Sequence, residues 1–186
     1  MSEIVFFLEE PSAQALLEGL LPRLLPQGQS IRYLVFEGKQ DLEKQLARKL
    51  RGYRVPEAKF VILRDKDSGD CRKTKDELVA QCTQAGHPDA LVRIACHELE
   101  SWYLADLSAV EKALNLNGLA RRQGSRLCAK PDSYPSPYQT LKKLAPSYQK
   151  VSGSREIGLH LDTGNTRSKS FSVFIAGLRK LCRTGL

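Results

Sequence analysis

The stretch Phe60-Val61-Ile62-Leu63-Arg64-Asp65-Lys66-Asp67-Ser68-Gly69-Asp70 decides the reading of the fold. Four apolar residues give way to three carboxylates within six positions, with a glycine among them. A short apolar run of this kind fits a strand buried on both faces, opening into an acidic loop at its C-terminal end. Open α/β sheets place their ligands at that end of the strands. Two carboxylates about 4 Å apart repel by roughly 4 kcal/mol at an effective dielectric near 20. A crowded set therefore shifts its pKa, spreads into water or holds a cation. The expected occupant is a hard cation, magnesium; the competing reading is a solvated acidic turn.

Upstream, Glu3 to Leu8 reads as a first strand ending at Glu9-Glu10-Pro11-Ser12. Ser12 is placed to cap a helix in which Leu16, Leu17, Leu20 and Leu21 recur at helical spacing, and Pro22 ends or kinks it. Ile31 to Phe36 forms a second strand. Asp41 can cap a helix striped by Leu42, Leu46 and Leu50. Downstream, residues 71–84 read as a helix with Leu78, Val79 and Cys82 inward, Ala90 to Ala95 as a fourth strand, and His97 to Leu104 as a helix. Four alternations of strand and helix predict an α/β fold, a mainly parallel sheet of about four strands covered by helices. Right-handed crossovers bring the C-terminal ends of those strands to one edge.

Beyond about residue 115 the alternation fades. Residues 1–114 form the predicted α/β core, and 115–186 a basic, mostly helical extension packed on it within a single structural domain. Asn115 to Pro137 is loop-like, Tyr138 to Leu144 a short helix, Ser147 to Asn165 a stretch rich in Ser and Gly, and Ser170 to Leu181 a final helix. A mobile loop is expected over 146–168.

Net charge is +8, but the first 114 residues carry 16 Lys and Arg against 18 Asp and Glu, and the remainder 13 against 3. A basic region beside an acidic site suits a polyanion such as nucleic acid. Arg121, Arg122, Arg126, Arg155, Arg167 and Lys169 are the candidate phosphate contacts. Arg167-Ser168-Lys169 is the most specific of these, because it precedes a helix whose N-terminus can attract phosphate. The five cysteines are odd in number, scattered and without a Cys-x-x-Cys pair. They predict a reducing, cytoplasmic setting rather than a disulfide framework or zinc site. No apolar run reaches the roughly 20 residues of a membrane span, so no membrane partner is expected.

Three acidic groups follow predicted strands: Glu9/Glu10 after the first, Asp65/Asp67/Asp70 after the third, and Glu98/Glu100 after the fourth. Magnesium keeps several waters, so two or three carboxylates suffice to hold it. Asp70 reads either as a ligand of a second metal or as a helix N-cap. His97 lacks the second histidine of a zinc-protease motif, and Gly69 stands where an EF-hand needs an oxygen ligand. Trp102 and Tyr103 read as packing residues.

Leu8-Glu9-Glu10-Pro11-Ser12 followed by Leu63-Arg64-Asp65-Lys66-Asp67-Ser68-Gly69 resembles the TOPRIM (topoisomerase–primase) pattern of a first-strand glutamate and a third-strand Asp-x-Asp. Glu98-Leu99-Glu100-Ser101-Trp102-Tyr103-Leu104-Ala105-Asp106 and Asn165-Thr166-Arg167-Ser168-Lys169-Ser170-Phe171 extend the likeness to a bacterial TOPRIM-like domain-of-unknown-function family, number 4276, over nearly the whole chain. That resemblance implies a TOPRIM/Rossmann-like sheet and a site for Mg2+ (or Mn2+), related to nucleases of the OLD (overcoming lysogenization defect) class. It also implies an ABC-type ATPase as partner and a role in anti-phage defence. Carried over by position, Glu9 is the first-strand acid, Asp65 and Asp67 are metal ligands, and Glu100 is a further catalytic acid. Glycine usually follows the TOPRIM glutamate, and Glu10 stands there instead, so Glu9 and Glu10 both remain candidates.

Three functions compete. The first is a metal-dependent nuclease acting on DNA or RNA. The second is a non-enzymatic regulatory subunit of such a system, and the third an aspartyl-phosphate phosphotransferase with Asp65 as nucleophile. The residue pattern leaves the oligomeric state open.

Overall fold

The computed structural model describes residues 2–66, 69–125 and 128–183. Four strands, β1 (Ile4–Leu8), β2 (Ile31–Val35), β3 (Lys59–Asp65) and β4 (Leu91–Ala95), form one sheet in the order β2-β1-β3-β4. Every pairing is parallel, with Leu8 opposite both Val35 and Leu63, and Asp65 opposite Ala95. Between them run α1 (Pro11–Leu20), α2 (Lys39–Gly52) and α3 (Cys71–Gln84), and a helical region follows: α4 (Glu100–Leu104), α5 (Leu107–Ala113), α6 (Pro137–Leu144), α7 (Lys150–His160) and α8 (Lys169–Arg183). Among the described residues no helix is long and apolar enough to cross a membrane.

Side chains alternate across a strand, so each central strand feeds two cores. Val5, Phe7, Phe60 and Ile62 point to the face covered by Leu42, Leu46 and Leu50 of α2 and by Leu78 and Cys82 of α3. Phe6, Leu8, Val61 and Leu63 point to the other face, where α1 is joined by the helices after β4. Strand β1 is buried along its whole length, which explains its unbroken apolar run. The chain leaves β1 toward β2 but leaves β3 toward β4, so the order reverses between β1 and β3. That reversal opens a crevice beyond their C-terminal ends.

Two helix starts differ from the expected caps. Glu10 is the N-cap of α1, with Pro11 at its first position, and Ser12 donates instead to the Glu10 carboxylate at 2.5 Å. Proline suits that first position because the missing N–H would have no helical partner. Gly38 is the N-cap of α2, and Asp41 lies inside the first turn, accepting the Glu37 amide at 3.2 Å.

The larger correction is α7, which occupies Lys150–His160 where a mobile loop over 146–168 was expected. Its glycines serve close packing. A Cβ on Gly158 would fall 2.4 Å from the Leu16 carbonyl oxygen, and one on Gly19 would fall 2.6 Å from that of Arg155. Helices α1 and α7 therefore cross backbone against backbone. Arg23 ties off the far end of α7, donating to the carbonyls of Gly158 at 2.7 Å and Leu161 at 2.9 Å. Helix α8 packs through Phe171 and Phe174, whose rings lie 5.2 and 5.1 Å from that of Trp102.

Overpacking a tight contact costs about 1–3 kcal/mol or more. Gly158→Ala should therefore lower the unfolding free energy measured by urea titration by that amount. Gly52→Ala, where a Cβ meets nothing within 4 Å, should shift it by less than about 0.5 kcal/mol. Equal, small effects at both positions would refute the close crossing.

Candidate functional site

Glu9 and Glu10 leave the end of β1, Asp65 ends β3, and Glu100 opens α4 just past β4. The Glu9 carboxylate accepts the Asp65 amide at 3.2 Å and pairs with the Arg64 guanidinium at 3.7 Å. Arg64 is buried and also bonds Glu43. Glu10 is held differently, by the Ser12 hydroxyl and by the Lys150 ammonium at 2.7 Å.

Asp65 is buried at the centre of this group. Burial pushes its carboxyl well above the usual range, the charges of Glu10, Glu100 and Glu9 add to the rise, and Lys150 opposes it. Glu100 is only 1% exposed. Burial raises its pKa to about 7, against the pull of Lys150 and of the Tyr148 hydroxyl. Burial works against the charge on Lys150, but its bond to Glu10 and the charges of Glu10, Glu100 and Asp65 win, and its pKa is raised.

Glu100 is positioned by hydroxyls. Tyr148 donates to Glu100 Oε1 at 2.9 Å, Tyr103 donates to Ser154 at 2.9 Å, and Ser154 donates to the Lys150 carbonyl at 2.5 Å. Each of these three hydroxyls has a single proton to give. Glu100 Oε2 is left buried with no hydrogen-bond partner among the described residues. It is the atom on which a proton or a cation can sit, since an unmet buried carboxylate oxygen is otherwise costly.

The expected residues separate into several groups. Glu9, Asp65 and Glu100 come to one edge of the sheet, and Glu10 joins them. Arg64 pairs with Glu9 and Lys150 with Glu10, and the charges of both glutamates, Glu10 first, add to the rise at Asp65. Asp67 and Arg126 lie outside the described residues. Asp70 is the N-cap of α3, its Oδ1 accepting the amides of Arg72 at 2.8 Å and Lys73 at 2.9 Å. Glu98 accepts the Tyr138 amide at 2.7 Å, anchoring α6, and its charge adds to the rise at Glu100. Trp102 and Tyr103 are buried packing residues. Among the described residues no three His, Cys, Asp or Glu side chains form a ready-made ligand set. A magnesium ion that keeps its waters needs fewer.

Of the basic candidates, Arg155 is paired with Glu18 at 2.8 Å. Arg121 and Arg122 lie exposed on a 3₁₀ turn. Arg167 and Lys169 are exposed at the start of α8, but that helix end is already filled. The Ser170 amide donates to Asp132 at 2.8 Å and the Phe171 amide to Ser168 at 3.1 Å. A phosphate expected on those amides would have to displace Asp132.

Lys150, Tyr148 and Ser154 were not anticipated as site residues. Tyr148 fits under α7 because position 153 is glycine: a Cβ there would fall 2.5 Å from the tyrosine ring. The Tyr-x-Lys-x-x-x-Ser spacing is a faint signal, since residues 150 and 154 share a helix face. A separate cavity of about 630 Å³ lies at the opposite edge of the sheet, lined by Lys59, His87 and Arg93 among others. It touches none of the clustered carboxylates, and we locate the site by those carboxylates.

The Glu100 shift has a definite consequence for the metal-free protein. A folded pKa of about 7 against an ordinary 4.5 means that the folded chain binds this proton more tightly than the unfolded one. The contribution is full below pH 4.5 and lost as pH rises through about 7. Glu100→Gln should remove it. In chelator, the melting temperature of E100Q should therefore rise relative to wild type between pH 5 and 8, by the equivalent of roughly 3 kcal/mol. Parallel pH profiles would refute the shift.

No curated protein and no solved structure matches the chain. A family model described as "Domain of unknown function (DUF4276)" matches residues 8–179. Spanning β1 through most of α8, that match means that the chain belongs to the DUF4276 family.

Proposed function

We propose that the chain is a magnesium- or manganese-dependent nuclease of the TOPRIM kind, hydrolysing phosphodiesters in the crevice between β1 and β3. The observation that carries this reading is the orphaned, buried Glu100 Oε2 beside a buried Asp65 that three other carboxylates crowd. Among the described residues Arg64 pairs with Glu9 and Lys150 with Glu10, and a divalent ion would supply charge to Asp65 and Glu100. The donor set is all oxygen, which suits magnesium or manganese. Asp65 and Glu100 would hold the ion with water completing its shell, and Glu10 would join them only once Lys150 leaves it. When bound, it acidifies water and neutralises charge that builds on the phosphodiester.

The chain's own groups supply the rest. Tyr148 fixes the orientation of Glu100, and the packed Trp102 and Tyr103 behind it keep bulk water out. Glu100, with its pKa about 7, can hold or release a proton at Oε2 near neutral pH. Lys150 balances Glu10 until substrate phosphate arrives. The raised pKa of Asp65 makes it a poor nucleophile, which disfavours the phosphotransferase alternative. Arg121, Arg122, Arg167 and Lys169 are the exposed cations for the polymer backbone.

Single- and double-stranded DNA and RNA should be tested for cleavage with magnesium or manganese. Asp65→Asn and Glu100→Gln should each reduce cleavage by about 100-fold or more. Asp70→Asn should keep near wild-type activity, because Asn caps a helix as well as Asp does. Failure of the wild type to cut any of the four polymers, or undiminished cleavage by D65N, would sink the proposal.

Binding should also depend on salt. Each of Arg121→Ala and Arg122→Ala should lower the slope of log K against log salt for duplex DNA by about 0.9. Unchanged slopes would remove those two arginines from the interface.

A further inference from the structure

Strands β3 and β4 end level with each other: Asp65 lies opposite Ala95, and the Lys66 amide donates to the Ala95 carbonyl at 2.9 Å. Cys96 is the next residue after β4. Cys71 is the first residue of α3, held there by the two amide bonds to the Asp70 cap. The parallel pairing and the cap together set the Cys71 and Cys96 sulfurs 3.7 Å apart. Both residues are half-buried, whereas Cys82 and Cys128 are buried and Cys182 sits near the end of α8. A disulfide needs sulfurs about 2.05 Å apart, so these two have only about 1.7 Å to close.

We propose that Cys71 and Cys96 are a reversible dithiol–disulfide pair, a modification site that fastens the N-terminus of α3 to the end of β4 when a hydroperoxide oxidises it. The chemistry balances without any further reagent. One thiol, as thiolate, attacks the peroxide oxygen and becomes a sulfenic acid, and the peroxide loses hydroxide, which its proton turns to water. The second sulfur then attacks the first, the S–O bond breaks, and the thiol proton leaves with the hydroxide as a second water. Two electrons pass from the thiols to the peroxide, and a small dithiol returns them.

The order of events follows from the surroundings. Burial, then Asp132 and then Cys71 raise the Cys96 pKa to about 12, which holds Cys96 as the thiol. Oxidation of Cys71 to a neutral sulfenic acid removes its share of that rise, and Cys96 becomes the resolving partner. A transient bond of this kind is what a reducing compartment permits. The pair needs no metal and stands independently of the nuclease reading.

Full-length protein, treated with hydrogen peroxide at equimolar to tenfold excess and alkylated, should yield a Cys71–Cys96 cross-linked peptide on non-reducing mass mapping. Dithiothreitol should abolish it, and Cys71→Ser and Cys96→Ser should each lack it. Amide exchange at the first turn of α3 and at residues 96–99 should slow on oxidation in wild type and not in C71S. The wild-type map needs no variant to fold. Irreversible sulfinic acid at either residue without the cross-link, cross-links confined to the other cysteines, or no reaction at all would each overturn the proposal.

Discussion

The backbone contact of α1 with α7 at Gly19 and Gly158 is the constraint on which the rest of this structure depends. Two helices can approach this closely only where neither carries a Cβ at the crossing. Helix α1 starts at the end of β1, so its first turn carries Glu10 to the sheet edge. Helix α7, locked against it, carries Lys150 and Ser154 to the same place, and Tyr148 just before it reaches Glu100. Relaxing the crossing would separate the ammonium and the hydroxyls from the carboxylates they serve. Packing and site therefore share one determinant, and the C-terminal helices complete the site as well as the core.

Charge sets the second constraint. Glu9 and Glu10 project from β1, Asp65 from β3 and Glu100 from just past β4, a density that an interior tolerates only with compensation. Arg64 answers Glu9 and Lys150 answers Glu10. Among the described residues no such partner reaches Glu100 Oε2, and Asp65 is driven toward its neutral form. The chain thus balances the outer carboxylates with side chains and leaves the inner pair to protons. Protonation of Asp65 and Glu100 spares the folded state the full repulsion of four charged carboxylates.

The alternating strands and helices, the parallel sheet and the acidic edge were legible in the residue pattern because each rests on local signals: apolar runs, turn residues and acids just past strand ends. What was not legible is long-range. Gly153 and Gly158 look like loop residues, since helix propensity penalises glycine, and only the partner surface of α1 shows why they are needed. Lys150 sits 140 residues from Glu10, and no spacing rule links them. The N-terminus of α8 looked open to phosphate because Asp132, its actual occupant, comes from a stretch read as loop. Asp70 was readable both ways, and its two amide bonds establish it as a cap.

The division between Glu9 and Glu10 shows why position in a motif is a weaker guide than charge environment. Glu9 comes first after the strand and resembles the family acid, yet its carboxylate faces Arg64 and the Asp65 amide. Glu10 stands where glycine is usual, and a glycine there would have left Lys150 without its carboxylate partner. An added carboxylate and an ammonium to match it change the charge of the crevice by nothing while adding a switchable ion pair at its mouth. On the proposed nuclease reading, incoming phosphate would draw Lys150 away and free Glu10 to become a ligand. On this reasoning the charge that Glu10 adds where the motif has glycine is compensated by a residue far along the chain, Lys150.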